Sequence, residues 1–453
     1  MTDAFRPRAA DTVFHPYPSN VHVRESEAGA MIRARRMHAR RRLDSARLLD
    51  TTRRIIDRTR SGRTDWIGPV CMVLLAVIGV FFIYSSQAYA ASSFWSRQLV
   101  WIVIGGVVYV VVSRIDYKIF LENALWCYLG ALLLLMAVLA FGDVREGARR
   151  WLNFGLFSFQ PSEAAKIGTL IMVSSILARS ELRNLRESVW VLLKVMGITA
   201  LPIFLILLQP DLGSSLIIPP MVLALLYVSK LSERYFYAFF GVVVLLGTVL
   251  TVDLYRYAGF LEANQLTALE ARNLYQKESW VPGLRDYQRE RIMTFVAPEV
   301  VDPRGTGSAW NAIQAQQAVG TGGFLGKGWG EGLQARLGYL PRSVAHNDFI
   351  FAVLAEEKGF LGGMLVIGLY AVLLGNGVRI AGIARDRFGM LLCIGVTMVF
   401  LVHVFINIGM TIGIAPITGL PLPFVSYGGS FILSCCILQG IVQSVHRHRR
   451  EFQ

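Results

Sequence analysis

Ten stretches of this chain are apolar for close to, or more than, the ~20 residues that a helix needs to cross a bilayer. They fall at about 66–87, 97–113, 120–141, 161–179, 189–208, 214–230, 236–255, 348–375, 387–412 and 420–443. No other feature narrows the fold as much. Inside hydrocarbon every backbone N–H and C=O must find its partner within the protein, which leaves helices or a closed barrel. Runs of this length are far longer than barrel strands, so the fold class is all-α, a polytopic membrane protein. The hydrophobic fraction of 54% agrees.

The charges orient the bundle. Residues 1–63 carry fifteen arginines against seven carboxylates, a net of +8 out of +14 for the chain. Such a tail could bind nucleic acid. The plainer reading is a solvated tail beside anionic lipid, and no nucleic-acid motif accompanies the charge. Residues 33–60 could lie along the membrane surface as a basic amphipathic helix. The connections at Arg114 and Lys118, Arg179 to Arg186, Lys230 and Arg234, Arg379 to Arg387, and Arg447 to Arg450 all fall on the tail's side. The positive-inside rule makes that side cytoplasmic, with both termini on it. Ala88-Tyr89-Ala90 resembles a signal-peptidase site, but the run before it is too long for a signal peptide; a retained anchor is expected.

On the far side lie a loop at 142–160 and a long polar one at 256–347. Loops of that size usually carry function. Within the long one, residues 261–277 and 287–296 have helical composition, and 309–319 could form a short helix. Gly320 to Gly332 is expected to be irregular. The five cysteines all lie in or beside apolar runs, so no disulfide framework or zinc spacing is indicated. Gly326-Lys327 is not a phosphate loop, because residue 321 is Thr and residue 328 is Gly.

Asp302 is the best acid–base candidate. Asp302-Pro303-Arg304-Gly305 is also a common turn, with Asp capping its own backbone, and the pattern leaves both readings open. Glu163 and Lys166 sit three apart at the start of the fourth run, on one helix face. They are either a structural ion pair or a charged wall of a substrate cavity. Arg149 and Arg150, before Trp151, are either interfacial anchors or phosphate ligands. Glu356 and Glu357 interrupt the eighth run and Asp348 opens it; all three suit interhelical hydrogen bonding. Prolines 416, 421 and 423 with glycines 413, 419, 428 and 429 exclude one regular helix over 414–430. Broken backbone at membrane depth usually lines a protein-buried cavity.

Four stretches together resemble the SEDS family (shape, elongation, division and sporulation). They are Gly147-Ala-Arg-Arg-Trp151 with Phe159-Gln-Pro-Ser-Glu163-x-x-Lys166; Gln209-Pro-Asp-Leu-Gly-Ser214; the long polar loop; and Asn407-Ile-Gly-Met410 through Pro421-Leu-Pro-Phe-Val-Ser-Tyr-Gly-Gly429. The resemblance covers about 66–445. Gly326-Lys-Gly-Trp329 and Phe351-Ala-Val-Leu-Ala-Glu-Glu357 look like the rod-shape branch more than the division branch. Two departures stand out: Gly305-Thr-Gly-Ser-Ala-Trp310-Asn311 is about two residues longer than the family's pattern, and Arg342 replaces a glutamate.

The resemblance implies a peptidoglycan glycosyltransferase of the bacterial inner membrane that polymerises lipid II for cell-wall elongation. It implies Asp302 as catalytic base, and Glu163 and Lys166 in the substrate cavity. Phosphate contact by Arg149, Arg150 and Lys327 is a further expectation. The implied partners are a class B penicillin-binding protein and the cell-elongation complex. Loss of a lipid pyrophosphate calls for a divalent cation (Mg2+ or Mn2+) or for Arg and Lys. No nucleotide or nucleic acid is expected. A lipid II flippase, a division paralogue and a scaffold for the transpeptidase are the competing readings.

Overall fold

A computed structural model describes residues 64–87, 93–145, 148–155, 157–180, 185–229, 231, 233–264, 266, 274–275, 281 and 286–449. The amphipathic helix expected at 33–60 and the 88–90 sequence lie outside these residues.

The chain enters as α1 (Ile67–Gln87) and α2 (Phe94–Arg114), then a short α3 (Lys118–Glu122) and α4 (Ala124–Phe141). The far-side loop forms a three-stranded antiparallel sheet, β1 (Asp143–Arg145), β2 (Ala148–Asn153) and β3 (Ser158–Phe159), with Leu152 opposite Phe159. Helices α5 (Pro161–Arg179), α6 (Leu185–Leu208), α7 (Leu212–Val228) and α8 (Glu233–Asn264) follow. The long polar segment holds α9 (Asp286–Val296) and the short α10 (Pro298–Val301), then α11 (Trp310–Thr321), α12 (Leu333–Arg336) and α13 (Arg342–Ala345). The chain returns as α14 (Ile350–Gly382), α15 (Arg387–Thr411) and α16 (Gly429–Arg447).

Eight of these helices are long and apolar enough to cross a membrane. The other two expected spans become α5 and α7. Helix α5 carries Ser162, Glu163, Lys166, Thr169, Ser174 and Ser175, all buried, which lowers its hydropathy. Helix α7 has 17 residues. Both contribute to one apolar core with α14, α15 and α16. The apolar stretch of α8 buries none of its residues, so it lies on the outside of the bundle.

Local chemistry sets the helix ends. Pro161 opens α5, where its missing N–H costs nothing. Asp211 caps α7 by accepting the Ser214 N–H at 3.1 Å, and Asp386 caps α15 by accepting the Gly389 N–H at 2.8 Å. The last span starts at Gly429, not near 420 as expected. The Pro-Leu-Pro stretch before it lacks the N–H groups a helix needs, and the chain instead runs extended and turning through 412–428. Helix α8 runs past 255 to Asn264 because Leu254, Tyr257 and Leu261 continue its apolar stripe. They pack on Tyr275, Met293 and Val301 in a second core beside the polar segment.

The tail-side ends are tied together. Arg387 donates to the Ser180 and Ser229 carbonyls at 2.9 and 2.8 Å. Arg379 pairs with Asp65, and the Ser444 hydroxyl donates to Ile115 O. Arg379 and Arg387 thus lie at one end of the bundle with the ends of α2, α5, α7 and α16.

Candidate active site and its supports

Glu163 and Lys166 lie in the first turns of α5 and are almost fully buried. Lys166 Nζ donates to Glu163 Oε1 at 2.7 Å. It also lies 3.1 Å from His403 Nε2 and 5.7 Å from the centre of the Phe431 ring. His403 Nδ1 lies 3.1 Å from the Pro421 carbonyl. A carbonyl only accepts, so Nδ1 carries the proton; Nε2 then offers its lone pair to the ammonium. A continuous polar line therefore runs from Glu163 through Lys166 and His403 to the broken segment. Glu163 Oε2 is buried and has no partner among the described residues. A spare carboxylate oxygen beside a paired ammonium can receive a sugar hydroxyl from a bound substrate.

The broken segment is held from several sides. Asn407 Nδ2 donates to Asp348 O at 2.9 Å and to Leu420 O at 2.7 Å. The Ser426 hydroxyl donates to Asn347 O and receives the Leu422 N–H. Gln98 of α2 donates to Ser426 O and accepts the Gly428 N–H. Gly79 of α1 passes so close to Val425 that a side chain there would collide with its backbone. The loop backbone is thus satisfied by protein, as burial among spans requires.

Glu163's neighbours interlock with the second motif. Ser162 Oγ donates to Ser214 Oγ at 3.2 Å, and Gln160 donates to Asp211 Oδ2 at 3.0 Å. Arg150 donates to the carbonyls of Gln209 and Pro210 at the end of α6. Its guanidinium therefore neutralises helix-end carbonyls. Arg149 is exposed and, among the described residues, donates only to the Leu139 carbonyl, at 3.5 Å.

Asp302 sits at the end of α10, partly exposed. The expected turn is present, with the Gly305 N–H donating to Asp302 O at 2.9 Å. The carboxylate folds over the following loop. Oδ2 accepts the Gly307 N–H at 2.7 Å and the Ala309 N–H at 3.1 Å; among the described residues Oδ1 accepts only the Thr306 N–H, at 3.2 Å. Oδ1 keeps lone-pair capacity for a further donor. The residue that could act as a base is therefore also the one that shapes the loop entering α11.

The glycine-rich stretch after α11 is ordered by a break in α14. Gly359 leaves helical geometry at φ 63°, ψ −159°. The Glu356 and Glu357 carbonyls freed there accept the N–H groups of Lys327 and Gly328, at 3.0 and 3.1 Å. In return the Phe360 and Leu361 N–H groups donate to Gly323 and Phe324 carbonyls. Lys327 Nζ pairs with Glu356 Oε1 at 2.7 Å, and the same carboxylate accepts the Leu333 and Gln334 N–H groups. Glu357 accepts the Ser85 hydroxyl of α1. Lys327 is taken up by this clasp.

Sequence reasoning missed His403, Gln98 and the buried Arg289. The last pairs with Asp253 at 3.3 Å and stacks over Tyr257 and Tyr275 in the second core. Burial, then the Asp253 charge, pushes the Tyr275 hydroxyl above the ordinary tyrosine range. For His403 and Gln98 the available signal was a polar residue inside an apolar run; Arg289, in the polar segment, had none. Among the described residues no group of three or more His, Cys, Asp or Glu converges. These described residues do not build a resident cage for a divalent metal.

A family model described as cell cycle protein, covering FtsW, RodA and SpoVE, matches residues 65–451. The chain is 36% identical over 384 residues to the peptidoglycan glycosyltransferase MrdB of Escherichia coli K12, covering 84% of this chain and 93% of that one. It is 33% identical over 428 residues to the peptidoglycan glycosyltransferase RodA of Treponema pallidum, covering 84% and 97%. Its fold is similar to a chain in a solved structure described as a peptidoglycan synthase complex coordinating polymerization and crosslinking. That likeness has a TM-score of 0.67 at 26% identity, over 86% of this chain and 99% of the other.

Proposed function

This chain belongs to the cell cycle protein family of FtsW, RodA and SpoVE, and from that membership we propose how its geometry serves glycan synthesis. It is a peptidoglycan glycosyltransferase and a multi-pass helical membrane protein. The substrate is lipid II, taken from the outer face of the bacterial inner membrane, with both termini cytoplasmic. The observation that carries this reading is the buried Glu163–Lys166–His403 line. It ends on a broken segment and leaves Glu163 Oε2 without a protein partner among the described residues.

The reaction needs a base, because an acceptor sugar hydroxyl loses its proton as it attacks the donor's anomeric carbon. Asp302 Oδ1, with one backbone contact, takes that proton. The bond from the anomeric carbon to the pyrophosphate breaks as the new glycosidic bond forms, and the lipid pyrophosphate leaves. The exposed Arg149 balances its charge, while Lys166 stays paired with Glu163 in the cavity wall. Arg150 and Lys327 act indirectly, by holding the α6 end and the glycine clasp. A class B penicillin-binding protein within the elongation complex crosslinks the product. The likeness to a chain of a synthase complex that coordinates polymerization and crosslinking supports this pairing.

The deciding experiment is polymerisation of labelled lipid II by purified protein, with and without the penicillin-binding partner. Glycan strands are expected. Transport of lipid II across vesicles by a protein that forms no polymer would return the flippase reading.

A further inference from the structure

Helix α14 offers a ruler. From its break at Gly359 to Arg379 it runs about 30 Å at ~1.5 Å per residue, the thickness of a bilayer's hydrocarbon core. Arg379 is bound to Asp65 at the tail-side end. Lys358, beside the break, therefore stands at the opposite headgroup level. Its side chain is exposed and makes no hydrogen bond or ion pair with the described residues. The adjacent Glu357 is turned inward onto Ser85.

Lys358 lines a cavity of about 380 Å³ between α1 and α14. Its other walls are apolar: Ile78 and Phe82 from α1, Leu361 and Leu365 from α14, and Leu325 from the glycine clasp. The volume is within the ~300–1,000 Å³ of small-molecule sites. On α1, two residues past Phe82, Tyr84 stacks on Trp329 with ring centres 5.8 Å apart, and both rings are exposed. Tryptophan and tyrosine mark the membrane–water interface. The groove thus opens into the bilayer with a single cation at headgroup height and hydrocarbon walls along the lipid tails.

We propose that the α1–α14 groove binds one anionic phospholipid, its phosphate on Lys358 Nζ and an acyl chain along Phe82, Leu361 and Leu365. One ammonium complements one phosphate charge. Neither α1 nor α14 carries Glu163, Lys166 or His403, so the proposal does not depend on that assignment. A bilayer phospholipid, rather than the isoprenyl substrate, is the occupant.

The test is native mass spectrometry of the full-length protein in detergent with phosphatidylglycerol or phosphatidylcholine added. Lys358→Gln and Leu365→Trp are compared with the parent; both positions are exposed, so folding is not at stake. The parent should retain phosphatidylglycerol in preference to phosphatidylcholine. Lys358→Gln should weaken phosphatidylglycerol about fivefold and leave phosphatidylcholine unchanged. Leu365→Trp, which fills the groove, should weaken both lipids. Unchanged phosphatidylglycerol binding by Lys358→Gln would overturn the site. Displacement of phosphatidylglycerol by equimolar undecaprenyl phosphate would overturn the choice of occupant.

Discussion

Asp302 Oδ2 accepts the Gly307 N–H at 2.7 Å, and that one contact changes how the proposed base must be tested. From the sequence, Asp302→Asn separates a base from a turn residue, because Asn caps turns too. In the structure both carboxylate oxygens are acceptors. An asparagine has one acceptor oxygen, so its NH2 would face a backbone N–H. The substitution removes a base and also strains the loop, by about 1–3 kcal/mol for an unsatisfied group. Activity is therefore expected to fall about 10²–10⁴-fold, with only a modest rise in limited proteolysis across 286–321. A fall in activity no greater than the rise in cleavage would make Asp302 a loop fastener and remove it from the chemistry.

The Glu163–Lys166–His403 line predicts an asymmetric set of variants. Lys166→Met leaves the Glu163 charge buried and unpaired, a loss of roughly 3–5 kcal/mol. Adding Glu163→Gln should recover thermal stability but not glycan synthesis. Recovery of synthesis as well would reduce the pair to a structural role. His403→Gln, which can still present an oxygen to Lys166, should retain more activity than His403→Leu.

The clasp on α14 can be tested at two glycines. Gly326 has φ +84°, and a side chain there would collide with the Glu357 carbonyl. Gly323 has φ +61° with open space around it. Gly323→Ala should cost only the backbone term of about 1–2 kcal/mol. Gly326→Ala should cost more and should lower the melting temperature in detergent further. Equal shifts would mean that the loop does not seat on the helix break.

The orientation has a direct check. Ser308 is exposed in the loop before α11, with its hydroxyl 3.1 Å from Thr294 Oγ1. In a cysteine-free background, Ser308→Cys should react with an impermeant thiol reagent added to intact spheroplasts. Labelling only after lysis would place the polar segment in the cytoplasm and the substrate on the wrong side.

The sequence by itself determined the fold class and most of the helices, because an apolar run of bilayer length admits one local solution wherever it sits. It also determined that Glu163 and Lys166 share a face, since that follows from helical spacing alone. It could not determine what these groups touch. His403 lies far from Lys166 in the chain, and only the packing of α5 on α15 brings its ring to the ammonium. The same holds for the glycine stretch after α11, which has no periodicity to read. Its order comes from carbonyls released at Gly359, and no local pattern links that break to Lys327. Arg150 and Lys327 were legible as cations but not as cations already engaged, because the carbonyls and carboxylate that hold them belong to other helices. Local sequence sets backbone conformation through short-range sterics and solvation. The pairing of buried polar groups is settled only when distant helices close around them, because each must find a partner once water is gone.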